Sequence, residues 1–217
     1  MLNFYKHLPD DLRPRYHNPR YEHHGLILPF RMLIVGASGS MKTNWLMNLL
    51  HAMSGTFHHI TLLTKNADEP LYLLLKQKCP LSQLTVCEGM ECLPALEDLD
   101  PEQQHLVIFD DMVTVRDQRP ISEYFIRARK VAKGVSVVYL SQSFYRTPKL
   151  IRENLSYLVL KRLASLGDLS RILTEYALGV SKERLRQLYE VATRRPEDGL
   201  LIDIPQARFR RNFEVLG

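Results

Sequence analysis

Hydrophobic residues along this chain fall into two rhythms. Met32 to Val35, "HITLLTK", "HLVIFDD", "VSVVYLSQS" and "SYLVLKRL" are nearly continuous apolar runs, the pattern of strands buried on both faces. Between them, "NWLMNLLHAMSG" spaces Trp45, Leu46, Leu49, Leu50 and Met53 by threes and fours, as a helix packed on a sheet does, with Gly55 to end it. "EPLYLLLKQK", "ISEYFIRARKVAKG", "DLSRILTEYALG" and "SKERLRQLYEVATRR" also read as helices. Asp168 and Ser181 are the expected amino-terminal caps of the last two, and Gly179 the expected stop. "QLTVCEG" is a short strand, "ECLPALEDLD" a connecting helix or turn, and "GLLIDIP" with "ARFRRNFEVL" a closing hairpin. Buried strands alternating with helices predict an α/β fold with a parallel sheet covered on both sides.

Residues 1–30, rich in proline, arginine and histidine without a period, predict an irregular arm able to wrap a neighbour. Residues 31–217 predict one domain, and no internal repeat is apparent. No apolar run approaches the roughly 20 residues of a membrane span. "MLNFYKHLPDD" lacks the order of a signal peptide, so an intracellular protein is expected. In that setting Cys79, Cys87 and Cys92, an odd set without paired spacing, are expected as reduced thiols. The pairs His23-His24 and His58-His59 have no companion ligands at helical spacing, so no metal is expected there.

In an open parallel sheet, ligands sit at the carboxyl ends of the strands, and three motifs fall there. "RMLIVGASGSMKTNW" runs from a strand through a glycine turn into a helix. It follows the phosphate-loop pattern G-x-x-x-x-G-K-[ST], in which backbone N–H groups face a phosphate, lysine adds a point charge and the hydroxyl meets Mg²⁺. Met41 stands where that pattern has glycine. A Cβ costs little in a helix, so Met41 is expected in the first helical turn with ordinary angles. "LVIFDD" ends a buried strand in two carboxylates: Asp110 near Mg²⁺ and Asp111 orienting, or accepting a proton from, the attacking water. The alternative for this pair is a turn or cap. Gln142, at the tip of "VVYLSQS", could touch the γ-phosphate or that water, or merely satisfy loop backbone groups.

Charge is unevenly spread around a net of +5. Residues 66–105 hold eight acids against two lysines, and 116–162 hold eleven Lys or Arg against three acids. The basic segment suggests a surface for polyanions, nucleic acid first, or simply a solvated face. Arg116, Arg119, Lys130, Lys133, Arg146 and Lys149 are its candidate phosphate contacts. Tyr145 is a candidate for stacking, and Phe144 suits the core better.

The stretch from "ISEYFIRARK" through "LSQSFYRTPKLIREN" to "ILTEYALG" resembles the genome-packaging ATPases of large DNA viruses and virophages, the poxvirus-type branch of the FtsK-HerA translocases. The likeness runs from "LPFRMLIVGASGSMKT" to "LLIDIPQARFRRNF". It implies a P-loop NTPase, RecA/ASCE-like, with a three-layer sandwich, a mostly parallel sheet and a carboxy-terminal β-hairpin. It also implies a ring, pentameric or hexameric, that hydrolyses ATP to drive double-stranded DNA into a preformed capsid, with a capsid component as partner and no membrane. The implied setting is a cytoplasmic virus factory or the virion. By the same resemblance Gly36, Ala37, Ser38, Gly39, Ser40, Met41, Lys42, Thr43 and Asn44 hold ATP. Thr43 and Asp110 hold Mg²⁺, Lys42, Asp110 and Asp111 serve hydrolysis, and Gln142 senses it. A neighbour's arginine usually stabilises the transferring phosphoryl group, and Arg127 and Arg129 are the candidates. Met41, and Asp111 where many cellular relatives have glutamate, depart from the pattern. A nucleotide or nucleoside kinase would share the loop and carboxylates but needs an arginine-rich lid, which is not evident. A non-hydrolysing ATP-binding scaffold is the other alternative.

Overall fold

The computed structural model describes residues 1–10, 13, 15–131 and 134–216, apart from the side chain of Tyr5. Strands form where the apolar runs stand: β1 Arg31–Val35, β2 His59–Thr64, β3 Leu84–Glu88, β4 His105–Asp110, β5 Val135–Ser141 and β6 Tyr157–Leu160, followed by β7 Leu200–Asp203, β8 Arg208–Arg211 and β9 Glu214–Val215. They join in one sheet in the order β3-β2-β4-β5-β1-β6-β7-β8-β9. Pairings from β3 to β6 are parallel and those from β6 to β9 antiparallel. The mostly parallel sheet and the closing hairpin are therefore as expected, with β9 adding a short return.

Successive strand residues point to opposite faces, and both faces are covered. On one lie Met32, Ile34, Leu106, Ile108, Val138 and Leu140, packed with Trp45, Leu46 and Leu49 of helix α2 (Lys42–Ala52) and Tyr72 of α3 (Pro70–Lys78). On the other, Leu33, Val35, Val107, Phe109, Val137 and Tyr139 pack with α4 (Arg119–Arg127), α5 (Lys149–Glu153), α6 (Leu166–Glu175) and α7 (Lys182–Ala192). This makes the three layers. Among the described residues no helix is long and apolar enough to cross a membrane.

The segment before β1 holds a short helix, α1 (Tyr21–His24), and buries Leu26, Leu28 and Phe30. Arg210 on β8 grips it, donating to His24 O and Gly25 O while pairing with Asp203 at 2.6 Å. Such a buried pair costs about 3–5 kcal/mol to break from one side, so the hairpin clamps the start of the chain.

Three local expectations are corrected. Cys87 and Cys92 form a disulfide, and Cys79 is the free thiol among the described residues. A turn through Gly89, with φ +78, brings the first two to a Cα separation of 6.1 Å; spacing rules for metal sites do not detect such a turn. The cap of α6 is Ser165, whose side chain accepts from Asp168 N, whereas Asp168 lies inside the first turn. Ser181 caps α7 as expected. The helix expected over 121–134 runs from Arg119 to Arg127, then tightens into a single 3₁₀ turn at Ala128–Lys130.

Candidate phosphate-binding site

β4, β5 and β1 are adjacent, and their registers align Asp110 with Leu140 and Ser141 with Val35. The three motifs therefore meet at one carboxyl edge. The loop after β1 is tied to its neighbours by Gly36 N to Ser141 O and Ala37 N to Arg162 O, at 3.2 and 2.8 Å. A Cβ on Gly36 would collide with Ser40 and Lys161, so that position admits glycine alone. Ser40 N turns back to Ala37 O. The N–H groups of Ser38, Gly39 and Met41 find no acceptor among the described residues, and the first N–H groups of α2, at Lys42, Thr43 and Asn44, lack one inside the helix. Together they form an anion-facing turn at a helix amino terminus.

Met41 is not in the first helical turn. It precedes it, at φ +62 and ψ +37. The chain must reverse there to aim N–H groups inward, a left-handed conformation that costs a non-glycine residue roughly 1–2 kcal/mol. The loop thus carries strain at Met41, whose side chain is exposed. The donors themselves remain in place.

Lys42 Nζ bridges Gly36 O and Ala37 O at 3.0 Å each. Burial lowers its pKa, while Asp110, Asp111 and Glu69 pull it back up. Both paired acids thus face the lysine. They do so in different ways. Asp110 ends β4, where burial raises its pKa, and accepts from Tyr72 OH at 2.7 Å and Thr64 Oγ1 at 3.3 Å. Asp111 takes the left-handed conformation, φ +53, which aspartate tolerates. That twist turns its carboxylate toward the next strand tip, where Gln142 Nε2 donates to Asp111 Oδ2 at 3.4 Å.

The turn after Gln142 is held by a residue that the sequence pattern misassigns. Asp168, buried, accepts from Ser143 Oγ at 3.0 Å, Phe144 N at 2.8 Å and Tyr145 N at 3.0 Å. Phe144 is fully buried beneath Arg152, and Tyr145 is exposed under the Arg171 guanidinium.

Glu69 and Tyr72 are site residues that sequence reasoning missed. Glu69 immediately precedes α3, and Thr43 Oγ1 donates to its Oε2 at 3.4 Å. Burial raises the Glu69 pKa and pushes the Tyr72 phenol far above its ordinary range, so Tyr72 stays a donor. Glutamate before "PLYLLL" looks like a plain helix start. Lys161 was missed as well: fully buried beside Gly36, it donates to Asp198 O at 2.5 Å.

Arg127 and Arg129 are not part of this cluster. Arg127 ends α4 and Arg129 lies in the turn just after it, near the amino ends of the strands, where Arg31 of β1 donates to Phe125 O. Arg127 pairs there with Glu97 and Glu123, each at 2.9 Å. Neither arginine reaches the loop of its own chain. Arg116, Arg119, Lys130, Arg146 and Lys149 are exposed, with Arg119 paired to Asp117 and Lys149 to Glu153. Lys133 lies outside the described residues.

Thr43 and Asp110 offer oxygen donors suited to Mg²⁺. Among the described residues no group of three or more His, Cys, Asp or Glu could hold a metal ion. Mg²⁺ needs none, since one or two carboxylates plus substrate phosphates are its ordinary shell. The donor set fits an ion that arrives with a polyphosphate.

Residues 20–74 match the family model described as Poxvirus A32 protein. The DNA packaging protein OPG160 of vaccinia virus (strain Copenhagen) is 25% identical over 197 residues, covering 85% of this chain and 72% of that protein. Its monkeypox virus counterpart is also 25% identical, with 65% of its length covered. In fold, the genome packaging NTPase B204 of Sulfolobus turreted icosahedral virus 2, solved with AMPPCP, matches at a TM-score of 0.60 and 12% identity, over 86% of this chain and 98% of that one. ATPases 2 and 3 of EssC from Geobacillus thermodenitrificans match at 0.59 and 11%, over 87% and 40%. The resemblance to the poxvirus-type packaging proteins is thus borne out, and so is the P-loop ATPase fold.

Proposed function

We propose that this chain, a homologue of the poxvirus DNA packaging proteins, is a viral packaging ATPase that works as a ring of copies and uses ATP hydrolysis to drive double-stranded DNA into a preformed capsid. The meeting of Lys42, at the start of α2, with Asp110, Asp111 and Gln142 at adjacent strand tips is the observation that carries this reading.

The N–H groups of the Gly36–Asn44 turn bind the ATP phosphates, and Lys42 turns from its loop carbonyls to the β- and γ-phosphates. Thr43 and Asp110 hold Mg²⁺, which neutralises charge on the phosphate oxygens when bound. Asp111 positions the attacking water and accepts its proton, while Gln142, already within 3.4 Å of that carboxylate, fixes the water's direction and registers loss of the γ-phosphate. Arg127 or Arg129, too remote to act within its own chain, reaches the site of a neighbouring copy. Alanine at the true finger abolishes turnover and spares ATP binding and assembly; unchanged turnover rejects that arginine.

Arg116, Arg119, Lys130, Lys133, Arg146 and Lys149 contact DNA phosphates. Affinity then falls steeply with salt and is nearly indifferent to sequence. The partners are DNA, further copies and a capsid component, at the site of virion assembly.

The strained Met41 favours a second reading, an ATP-binding scaffold without turnover. Phosphate release, measured with and without long duplex DNA across the range of protein concentration over which copies assemble, separates the two. Stimulation by long duplex at concentrations that support assembly is expected of the motor. Tight ATP binding with no phosphate release at any concentration would select the scaffold.

A further inference from the structure

We infer that the amino-terminal end of α3 orients the magnesium ligands, with its cap residue Glu69 setting Thr43 and Tyr72, in its first turn, setting Asp110. This rests on the reading of Thr43 and Asp110 as metal ligands and extends it to two residues that touch neither nucleotide nor ion.

A hydroxyl that binds a cation does so through an oxygen lone pair, and its single O–H must point elsewhere. Here Thr43 Oγ1 has that outlet in Glu69 Oε2 at 3.4 Å. A carboxylate beside a cation needs its second lone pairs fixed, or the oxygen facing the ion wanders. Asp110 Oδ2 receives the Tyr72 phenol at 2.7 Å and the Thr64 hydroxyl at 3.3 Å. Tyr72 is itself fully buried in the apolar layer with Trp45 and Leu106. Glu69, the extended residue just before α3, and Tyr72, in its first turn, stand three residues apart at the same end of the helix. Tyr72 N also bonds back to Glu69 O at 2.9 Å, joining the two in one turn. The two proposed ligands come from different elements, α2 and β4, and the amino-terminal end of α3, with its cap residue, holds both. Glu69 and Tyr72 are therefore positioning residues. Partners of this kind commonly tune metal affinity by about 10–100-fold.

The test is Mg²⁺-dependent binding of a fluorescent ATP analogue to the full chain, against an EDTA control. Wild type is expected to bind more tightly as Mg²⁺ rises. Tyr72→Phe, which keeps the ring and loses only the hydroxyl, and Glu69→Ala should each raise the Mg²⁺ midpoint by about tenfold or more. Affinity in EDTA should stay within about twofold of wild type, because neither residue touches the phosphates. Glu69→Gln, which keeps an acceptor for Thr43, should recover most of the loss. Wild-type midpoints in both Tyr72→Phe and Glu69→Ala would overturn the inference and leave the metal reading standing. A wild-type protein indifferent to Mg²⁺ would overturn both. If Tyr72→Phe failed to fold, the Glu69→Ala and Glu69→Gln pair alone would decide.

Discussion

Gln142 Nε2 lies 3.4 Å from Asp111 Oδ2, a hydrogen bond between the tips of neighbouring strands β5 and β4. A carboxylate and an amide so joined can grip one water from two sides. Asp111→Asn should lower the rate of ATP hydrolysis by about 10²–10⁴-fold, the usual worth of a positioned base. Gln142→Ala should slow it less, and both variants should bind nucleotide as wild type does. Single-turnover phosphate release with an equilibrium binding control checks this; weakened binding in step with the rate would assign Asp111 to the cradle instead.

Asp168 governs where Gln142 stands. It accepts from one side chain and two backbone N–H groups of the turn that follows Gln142, from a buried position. Asp168→Ala leaves Phe144 N unpaired in the core and should destabilise the fold by about 3 kcal/mol, since charged hydrogen bonds exceed neutral ones. Denaturant unfolding measures it. A loss below roughly 0.5 kcal/mol, the scale of ordinary surface changes, would contradict this role.

Met41→Gly should relieve the left-handed strain at φ +62. Glycine recovers roughly 1–2 kcal/mol there and gives back about 0.5–1 kcal/mol through the freer unfolded chain, for a net gain of up to about 1.5 kcal/mol. Thermal melting should show a raised midpoint with nucleotide affinity kept or improved. A lowered midpoint would mean that the exposed methionine makes a contact of its own.

Lys161 gives the pH dependence. Burial lowers its pKa to about 8 from an ordinary 10.5. Between those values the unfolded chain holds a proton that the folded chain has released, so stability rises as pH climbs from about 8 to 10.5. Below that window the fold carries the cost of a buried ammonium. Lys161→Met should remove this rise, read as the difference between wild-type and variant unfolding curves across the window. Parallel curves would refute it.

Much of this was legible in the sequence for a physical reason. Strands buried on both faces cannot alternate, so "HLVIFDD" and "VSVVYLSQS" announce themselves, and a parallel sheet places their polar tips at one edge. What escaped depends on long-range geometry. The backbone at Met41 is set by the direction in which the loop must leave β1, which local propensity does not carry. Asp168 resembles a cap, yet its partners lie 23 to 25 residues earlier. The Cys87–Cys92 pair depends on a turn through Gly89. Glu69 and Tyr72 acquire meaning only because α3 packs over the end of β4, which no spacing within "EPLYLLLKQK" announces.

One magnesium nucleotide is proposed to sit where these tips meet, and a structure with a non-hydrolysable ATP analogue and Mg²⁺ decides it. Phosphates are expected against the Gly36–Thr43 backbone, with Lys42 released from Gly36 O and Ala37 O and the ion between Thr43 and Asp110. Phosphates bound elsewhere, or an ion on a different donor set, would contradict it.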